Sequence, residues 1–141
     1  MKNSEGFTLI ELMIVVVILA LLATISIPNF IKLQDRAKEA KVKGAGHTLQ
    51  LAAEDFAVRN MGIYSDVAGD VGPLLPLDPG GGNNLENAFT RAYSEPIWAN
   101  VATTPGQIGI MVLVDATGTN NGYRINGWGH KEEILVLSSG N

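Results

Sequence analysis

A stretch near the start of the chain, residues 6–23, reads GFTLIELMIVVVILALLA. From Phe7 to Ile27 the polar residues are two threonines, one serine and Glu11. As a helix, Phe7 to Pro28 spans roughly 33 Å, and the hydrocarbon core of a bilayer is about 30 Å thick. The stretch therefore predicts a membrane-spanning helix that carries one carboxylate.

That carboxylate needs a partner, because an ionisable group inside a membrane is costly and marks a functional site by default. Glu11 has no Lys, Arg or His within two helical turns on its C-terminal side, and Lys2 lies outside the apolar run. A positive charge beside Glu11 therefore has to come from another molecule or from a new N-terminus. Cutting the chain after Gly6 would create an α-amine on Phe7, one turn from the carboxylate.

The polar leader, Gly6 and the run Phe7–Val16 resemble the prepilin leader of type IV pilins and type II secretion pseudopilins. The resemblance is close over residues 6–31, extends along the helix to about residue 60, and is architectural beyond that. It implies cleavage after Gly6 by a prepilin peptidase, N-methylation of Phe7, and an assembly role for Glu11, which pairs with a neighbour's N-terminus.

Two observations compete with that interpretation. An ordinary secretory signal has an apolar core of about 7–15 residues followed by a small-x-small cleavage site. Here the run is longer, and Ala23–Ser26 is a poor cleavage site. The positive-inside rule, in turn, would place the basic residues after the helix in the cytoplasm, whereas the resemblance places residues 32–141 outside.

Charge is distributed unevenly along the 141 residues, whose net charge is −4. Residues 32–43 hold five basic and two acidic groups, and residues 44–141 hold four basic and ten acidic groups. This basic collar is either a solvated helix face or a surface that meets the acidic head of a neighbour. The acidic head argues against a dedicated nucleic-acid site. The chain has no cysteine, so it cannot form the C-terminal disulfide of many type IV pilins.

The sequence predicts one long helix over residues 7–60, with Pro28 as its weak point, because a proline kinks or locally opens a helix. The resemblance implies a helix that can melt between a glycine and this proline, but the chain has Ala20 there, a better helix former by about 1 kcal/mol.

After the proline, apolar residues at three- and four-residue steps predict a stripe that packs on a sheet. The stripe comprises Val42, Ala45, Leu49, Ala52, Ala53, Phe56 and Asn60. Gly44 and Gly46 either allow close packing or mark a bend. Met61-Gly62 predicts the end of the helix.

The fold class predicted is α+β, with the long helix packed on a small C-terminal antiparallel sheet, as in pilins. Strands are predicted at Gln107–Asp115, Asn121–Asn126 and Glu132–Ser138, with turns at residues 116–120 and 127–131 and a further strand within 97–103. Leu85–Phe89 predicts one helical turn. The predicted parts are a leader (1–6), a transmembrane or filament-core helix (7–31), its amphipathic half (32–61), a connecting region (62–105) and the sheet (106–141).

No catalytic, metal or cofactor site is predicted. His47 and His130 have no ligand-spaced carboxylates, and Ser138-Ser139 lacks a nucleophile elbow. The loop at residues 78–84 has oxygen ligands suited to calcium but lacks the alternating acids and a bidentate glutamate. The resemblance implies a calcium site with clustered aspartates in major secretion pseudopilins, and this chain has only Asp115 in that region.

We therefore expect a non-enzymatic type IV pilus subunit, a homopolymer held in the inner membrane by lipid contacts before assembly and exposed as a surface filament afterwards. Its expected partners are the prepilin peptidase and an inner-membrane assembly platform. A secretion pseudopilin is the first alternative, and a membrane-anchored exported binding domain that never polymerises is the second.

Overall fold

The computed structural model describes residues 6–139. Residues 1–5, which hold most of the predicted leader and Lys2, lie outside the described residues. The elements are α1 (Leu9–Arg59), α2 (Ala68–Val71), a 3-10 turn (Gly72–Leu74), β1 (Leu85–Glu86), β2 (Tyr93–Glu95), β3 (Ile97–Trp98), β4 (Ile108–Val114), β5 (Asn120–Trp128) and β6 (Glu133–Ser139). The α+β class is confirmed.

The chain divides into two units, Met1–Asp35 and Arg36–Asn141. In the first unit every large apolar side chain from Phe7 to Leu33 is exposed. Among the residues that the structure describes, α1 is the helix long and apolar enough to cross a membrane. Pro28 lies inside α1, and the helix continues past it without a break.

In the second unit, α1 supplies one wall of the core. Its buried residues are Val42, Gly46, Leu49, Ala52, Ala53 and Ala57. Four of these were in the predicted stripe, whereas Gly46 and Ala57 were not. Asn60, which the stripe included, is exposed, because the helix has already ended at Arg59.

The two helix glycines have different surroundings. A Cβ added at Gly46 would overlap the side chain of Leu135 on β6, whereas a Cβ at Gly44 would meet nothing within 4 Å. Gly46 therefore allows the sheet to approach the helix closely. This is the first of the two roles predicted for the helix glycines, close packing or a bend. Among residues 6–139, no atom lies close enough to Gly44 to give it the same role.

The end of α1 follows the predicted capping signal. The Gly62 N–H donates to the Ala57 carbonyl at 2.8 Å, which is the six-to-one bond of a Schellman motif. Met61 and Gly62 both have positive φ, 58° and 86°. The left-handed conformation therefore begins at a methionine, one residue before the glycine.

The main sheet has the order β3-β4-β5-β6. The three predicted strands form the expected antiparallel meander, with Ile110 opposite Ile125. The fourth strand, β3, is only two residues long and runs parallel to β4. Ile108, Ile110, Tyr123 and Ile125 are fully buried and form the core with Leu49 of α1.

The connecting region contains only short elements, as its prolines require. The helical turn predicted at Leu85–Phe89 is wrong, because Leu85 and Glu86 pair with β2 instead. The Asn87 Oδ1 atom accepts the N–H groups of Phe89 and Thr90 at 2.9 and 3.0 Å. An asparagine that bonds nearby backbone in this way favours a turn over a helix.

Candidate functional site

The Gly6–Phe7 peptide bond lies just before the first helical turn. Residues 6–8 are not helical, and α1 begins at Leu9. Gly6 is exposed, and Phe7 is 75% exposed. The bond therefore lies in exposed backbone that is not part of the helix.

Glu11 closes a capping box with Thr8, a contact that the sequence prediction did not include. The Thr8 N–H and hydroxyl donate to the Glu11 Oε2 atom at 2.9 and 2.7 Å, and the Thr8 Oγ1 atom accepts the Glu11 N–H at 3.3 Å. Threonine at the N-cap and glutamate three residues later satisfy each other's backbone donors in this motif. The sequence signal for this contact is the pattern Thr-x-x-Glu at residues 8–11.

The capping box uses one oxygen of the carboxylate. Both Thr8 donors reach Oε2, and no described residue donates to Oε1. Hydrogen bonds offset part of the cost of placing a carboxylate in an apolar setting, but they add no opposite charge. Among the residues that the structure describes, Glu11 therefore has polar partners and no cationic one.

In the basic collar, residues 32–43, two lysines contact the head and the other basic side chains form no ion pair with residues 6–139. The Lys41 Nζ atom pairs with Glu86 Oε2 at 2.6 Å, and Lys38 Nζ lies 5.2 Å from the centre of the Phe89 ring. The hydrogen bond from Lys41 holds the pKa of the Glu86 carboxyl below its ordinary value. Lys32, Arg36 and Lys43 have no ion-pair partner within residues 6–139.

The Glu54 carboxylate and its hydrogen-bond partners, here called the carboxylate clamp, hold the C-terminal part of α1 to the sheet. The hydroxyls of Tyr123 and Tyr64 donate to Glu54 Oε1 and Oε2 at 2.8 and 2.9 Å, and the Gln50 amide donates to the Tyr123 hydroxyl at 3.0 Å. The two tyrosine rings meet edge to face, with centroids 5.1 Å apart. Burial, and then the hydrogen bond to Glu54, raise the pKa of Tyr123 to about 12.

The loop considered for calcium uses its aspartate to fold itself. Asp78 Oδ1 accepts the N–H groups of Gly80 and Gly82 at 2.7 and 3.0 Å, and Oδ2 accepts the Asn84 amide at 3.3 Å. Burial alone would raise the pKa of the Asp78 carboxyl, but these hydrogen bonds bring it below its ordinary value. Asp78 therefore closes its own loop through three hydrogen bonds.

Asp115 is engaged in the same way. Its Oδ1 atom accepts the hydroxyl and N–H of Thr117 and the N–H of Thr119, and its Oδ2 atom accepts the Asn121 amide. The side-chain bond from Thr117 is the main reason that the pKa of the Asp115 carboxyl is lowered. This carboxylate closes the turn between β4 and β5.

The two histidines lie beside a glutamine and a phenylalanine. His47 lies 3.2 Å from the Gln50 side-chain oxygen, and His130 is tilted against the Phe89 ring at 5.9 Å. Within residues 6–139 there is no group of three or more His, Cys, Asp or Glu side chains arranged to hold a metal ion.

Comparisons with known proteins identify a matching family motif and several relatives of the chain. Residues 1–27 match the family described as the prokaryotic N-terminal methylation motif. The chain is 48% identical over 103 residues to the type IV major pilin protein PilA of Myxococcus xanthus, which covers 73% of this chain. It is 31% identical over 123 residues to the type II secretion system core protein G of Escherichia coli, which covers 81% of each chain. It is 31% identical over 129 residues to a fimbrial protein of Pseudomonas aeruginosa, which covers 90% of this chain and 77% of the relative.

The extent of these matches differs. The matched region spans only 44% of the Myxococcus protein, so the chain covers less than half of that relative's length. The other two matches extend over most of both chains. No solved structure matches the chain. The names of these relatives are those of a pilin, a secretion-system core protein and a fimbrial protein.

Proposed function

The chain belongs to the family of type IV pilins and type II secretion pseudopilins, and from this premise we propose that it is the structural subunit of a type IV pilus. The observation that carries the proposal is the exposure of the whole apolar part of α1, from Phe7 to Leu33, with a single carboxylate in its first turn. Such a surface requires a bilayer or other copies of itself to cover it.

Processing begins with hydrolysis of the Gly6–Phe7 bond by a prepilin peptidase. Water adds across the amide, leaving a carboxylate on Gly6 and an α-amine on Phe7. The amine nitrogen then takes a methyl group from a sulfonium methyl donor, which leaves as a thioether, and the nitrogen loses a proton. The exposure of Phe7 and the non-helical backbone at residues 6–8 support this step. The new amine belongs to Phe7, which directly precedes Thr8. The Thr8 N–H already donates to the Glu11 carboxylate.

Glu11 guides assembly through its two oxygens. Oε2 stays in the capping box with Thr8, which preserves the start of the helix. Oε1 then accepts a hydrogen bond from the ammonium group on Phe7 of a neighbouring subunit. A charge-assisted hydrogen bond of this kind is shorter and about twice as strong as a neutral one. Without that partner the carboxylate remains uncompensated in an apolar environment, so a subunit out of register is disfavoured.

The subunit occupies two environments in turn. Before assembly, α1 holds it in the inner membrane as a single-pass protein, with lipid around residues 7–31. An inner-membrane assembly platform then moves it into a surface filament, where lipid contacts are replaced by helix–helix contacts. The head, residues 32–141, lies outside the membrane both before and after assembly. The filament then serves adhesion, twitching motility or DNA uptake.

The same geometry leaves a second candidate function. The match to core protein G over 81% of both chains favours a pseudopilin, the subunit of a short secretion filament. Against it, Asp115 is the single aspartate within residues 106–141, whereas the resemblance implies clustered aspartates at a calcium site in the sheet region of major secretion pseudopilins. Loss of exoprotein secretion with surface fibres intact in a deletion strain would favour the pseudopilin, whereas loss of long surface fibres would favour the pilus.

The test of polymerisation compares Glu11→Ala with Glu132→Ala, a substitution of an exposed head carboxylate, in the native host. We expect long filaments by electron microscopy with Glu132→Ala and none with Glu11→Ala, with equal amounts of both proteins in the membrane. If Glu11→Ala cells keep full function, the chain is a membrane-anchored binding domain and the proposal fails.

A further inference from the structure

The exposed charges of the basic collar are all positive. Its exposed charged side chains are Lys32, Arg36, Lys41 and Lys43. Both of its acidic residues, Asp35 and Glu39, are half-buried, and the Glu39 carboxylate accepts the His130 N–H at 3.4 Å. The collar therefore presents a cationic surface to its surroundings, although it contains acidic residues.

Two of the exposed basic residues, Lys32 and Arg36, lie at the end of the apolar run. Leu33, the last exposed large apolar side chain of that run, lies between them. They are four residues apart on α1, so their side chains are neighbours on the helix surface. Neither forms an ion pair with any residue from 6 to 139, whereas Lys41 of the same collar is paired with Glu86. The uncompensated charges are thus those nearest the apolar run.

The spacing along α1 places these two side chains at the level of lipid headgroups when residues 7–31 cross the hydrocarbon core. A bilayer about 40–45 Å thick has a core of about 30 Å, which leaves roughly 5–7 Å of headgroup layer on each side. At about 1.5 Å per residue, Lys32 lies roughly 2 Å and Arg36 roughly 8 Å beyond Ile31. Helix side chains tilt towards the N-terminus, which here is towards the membrane. Lys43, roughly 10 Å further along than Arg36, is out of reach.

We propose that Lys32 and Arg36 bind the phosphate groups of anionic phospholipids in the outward-facing leaflet before the subunit assembles. The inference rests on the proposed function, because it takes residues 7–31 to cross a membrane with the head outside. Ammonium and guanidinium groups both bind phosphate, the guanidinium through paired hydrogen bonds. Their long apolar stems can lie along lipid while the charge stays at the interface.

This partner also accounts for the orientation of the collar. The positive-inside rule favours basic residues on the cytoplasmic side of a membrane, whereas the proposed function places the collar on the opposite side. A lipid phosphate supplies the counter-charge that this placement requires, at the two positions where the chain itself supplies none.

Full-length subunits in nanodiscs test the preference for anionic lipid directly. The wild type, Lys32→Gln/Arg36→Gln and Lys43→Gln are reconstituted in discs of equimolar phosphatidylglycerol and phosphatidylcholine. Native mass spectrometry then counts the lipids of each kind that remain on the released subunit. Lys43 is the matched control, because it is also exposed and unpaired and lies seven residues after Arg36, on the same side of α1. Lys2 is present in every variant, so its contribution cancels.

The expected effect follows from the range of surface electrostatics. A basic residue close to an anionic membrane surface contributes about a fivefold preference, which falls off within a Debye length of about 8–10 Å. We expect at least about fivefold more phosphatidylglycerol than phosphatidylcholine on the wild type and less than about twofold more on the double variant. Lys43→Gln should stay within about twofold of the wild-type ratio. All three chains should unfold at the same urea midpoint, because none of the substituted side chains is ion-paired within residues 6–139.

The outcomes separate this inference from the proposed function. If the wild type is not retained in the discs, the membrane stage of the proposed function fails and the inference falls with it. If the wild type is retained but carries the two lipids equally, or if Lys43→Gln loses as much preference as the double variant, only the inference is overturned. A double variant that keeps the lipid preference but forms fewer filaments in the native host would assign the collar to the acidic head of another copy, which also overturns the inference. Loss of the preference in the double variant alone upholds it, even if the native host forms no filaments.

Discussion

The carboxylate clamp between α1 and the sheet gives a stability prediction that can be worked out from named bonds. Tyr123 is 1% exposed and bridges Glu54 and Gln50 through a single hydroxyl. Tyr123→Phe removes that hydroxyl and leaves the ring in place. Glu54 then keeps its bond from Tyr64, but its Oε1 atom and the Gln50 amide each lose a partner.

The cost follows from the charge state of the groups involved. A hydrogen bond to a charged group contributes about 1.5–3 kcal/mol, and a neutral one about 1 kcal/mol. Glu54 and Gln50 are both partly accessible, so water recovers some of the loss. We expect Tyr123→Phe to lower the free energy of unfolding by about 2–3 kcal/mol. Tyr64→Phe, which removes one strong bond, should lower it by about 1–2 kcal/mol.

Urea unfolding of the detergent-solubilised full chain, followed by near-ultraviolet circular dichroism, measures both changes. The pH dependence supplies a second test. Because the pKa of Tyr123 is raised from 10.0 to about 12 in the folded chain, its contribution is fully present below pH 10 and is lost as the pH rises towards 12. The deficit of Tyr123→Phe should therefore shrink across that interval. A loss below about 0.5 kcal/mol at pH 7, or a deficit that does not change with alkaline pH, would refute this account of the clamp.

Three further predictions concern α1 and the loop that packs on it. Gly46→Ala should be less stable than Gly44→Ala by about 1–3 kcal/mol in thermal unfolding, because only the first overlaps β6 and overpacking costs about that much. Glu86→Gln should be less stable than the wild type above pH 4.5. The difference should vanish as the pH falls through the lowered pKa of Glu86, because the pairing of this carboxylate with Lys41 is lost on protonation. A difference in stability that does not depend on pH would contradict the ion pair. Asn87→Ala removes four hydrogen bonds from a side chain that is 4% exposed and should cost about 3–4 kcal/mol, seen as a lower urea midpoint and faster proteolysis near residue 87.

The sequence was most informative where a pattern is local. The apolar run predicted α1, and turn residues between β-branched runs predicted β4, β5 and β6 to within about two residues at each end. The family resemblance was confirmed because its motif is contiguous, from Gly6 to Val16. The role of Thr8 is equally local, but it lies in the hydrogen bonds of Glu11 and not in its charge, on which the sequence prediction rested.

Contacts between distant parts of the chain could not be predicted in the same way. Glu54 and Tyr123 are 69 residues apart, and no periodicity indicates that they meet. The partner of Gly46 on β6 and the parallel pairing of β3 also depend on how the sheet folds back over the helix. Asn87 shows a different difficulty, because an asparagine that bonds the backbone two and three residues ahead overrides the weak helical tendency of Leu85–Phe89.

The central claim is that this chain is processed after Gly6 and then assembles through its new N-terminus. The intact mass of the subunit taken from purified filaments tests it most directly. The account predicts a chain that begins at Phe7 and carries one methyl group on the nitrogen of that residue, located by fragmentation. A subunit that begins at Met1, or one cut near Ile27, would contradict it.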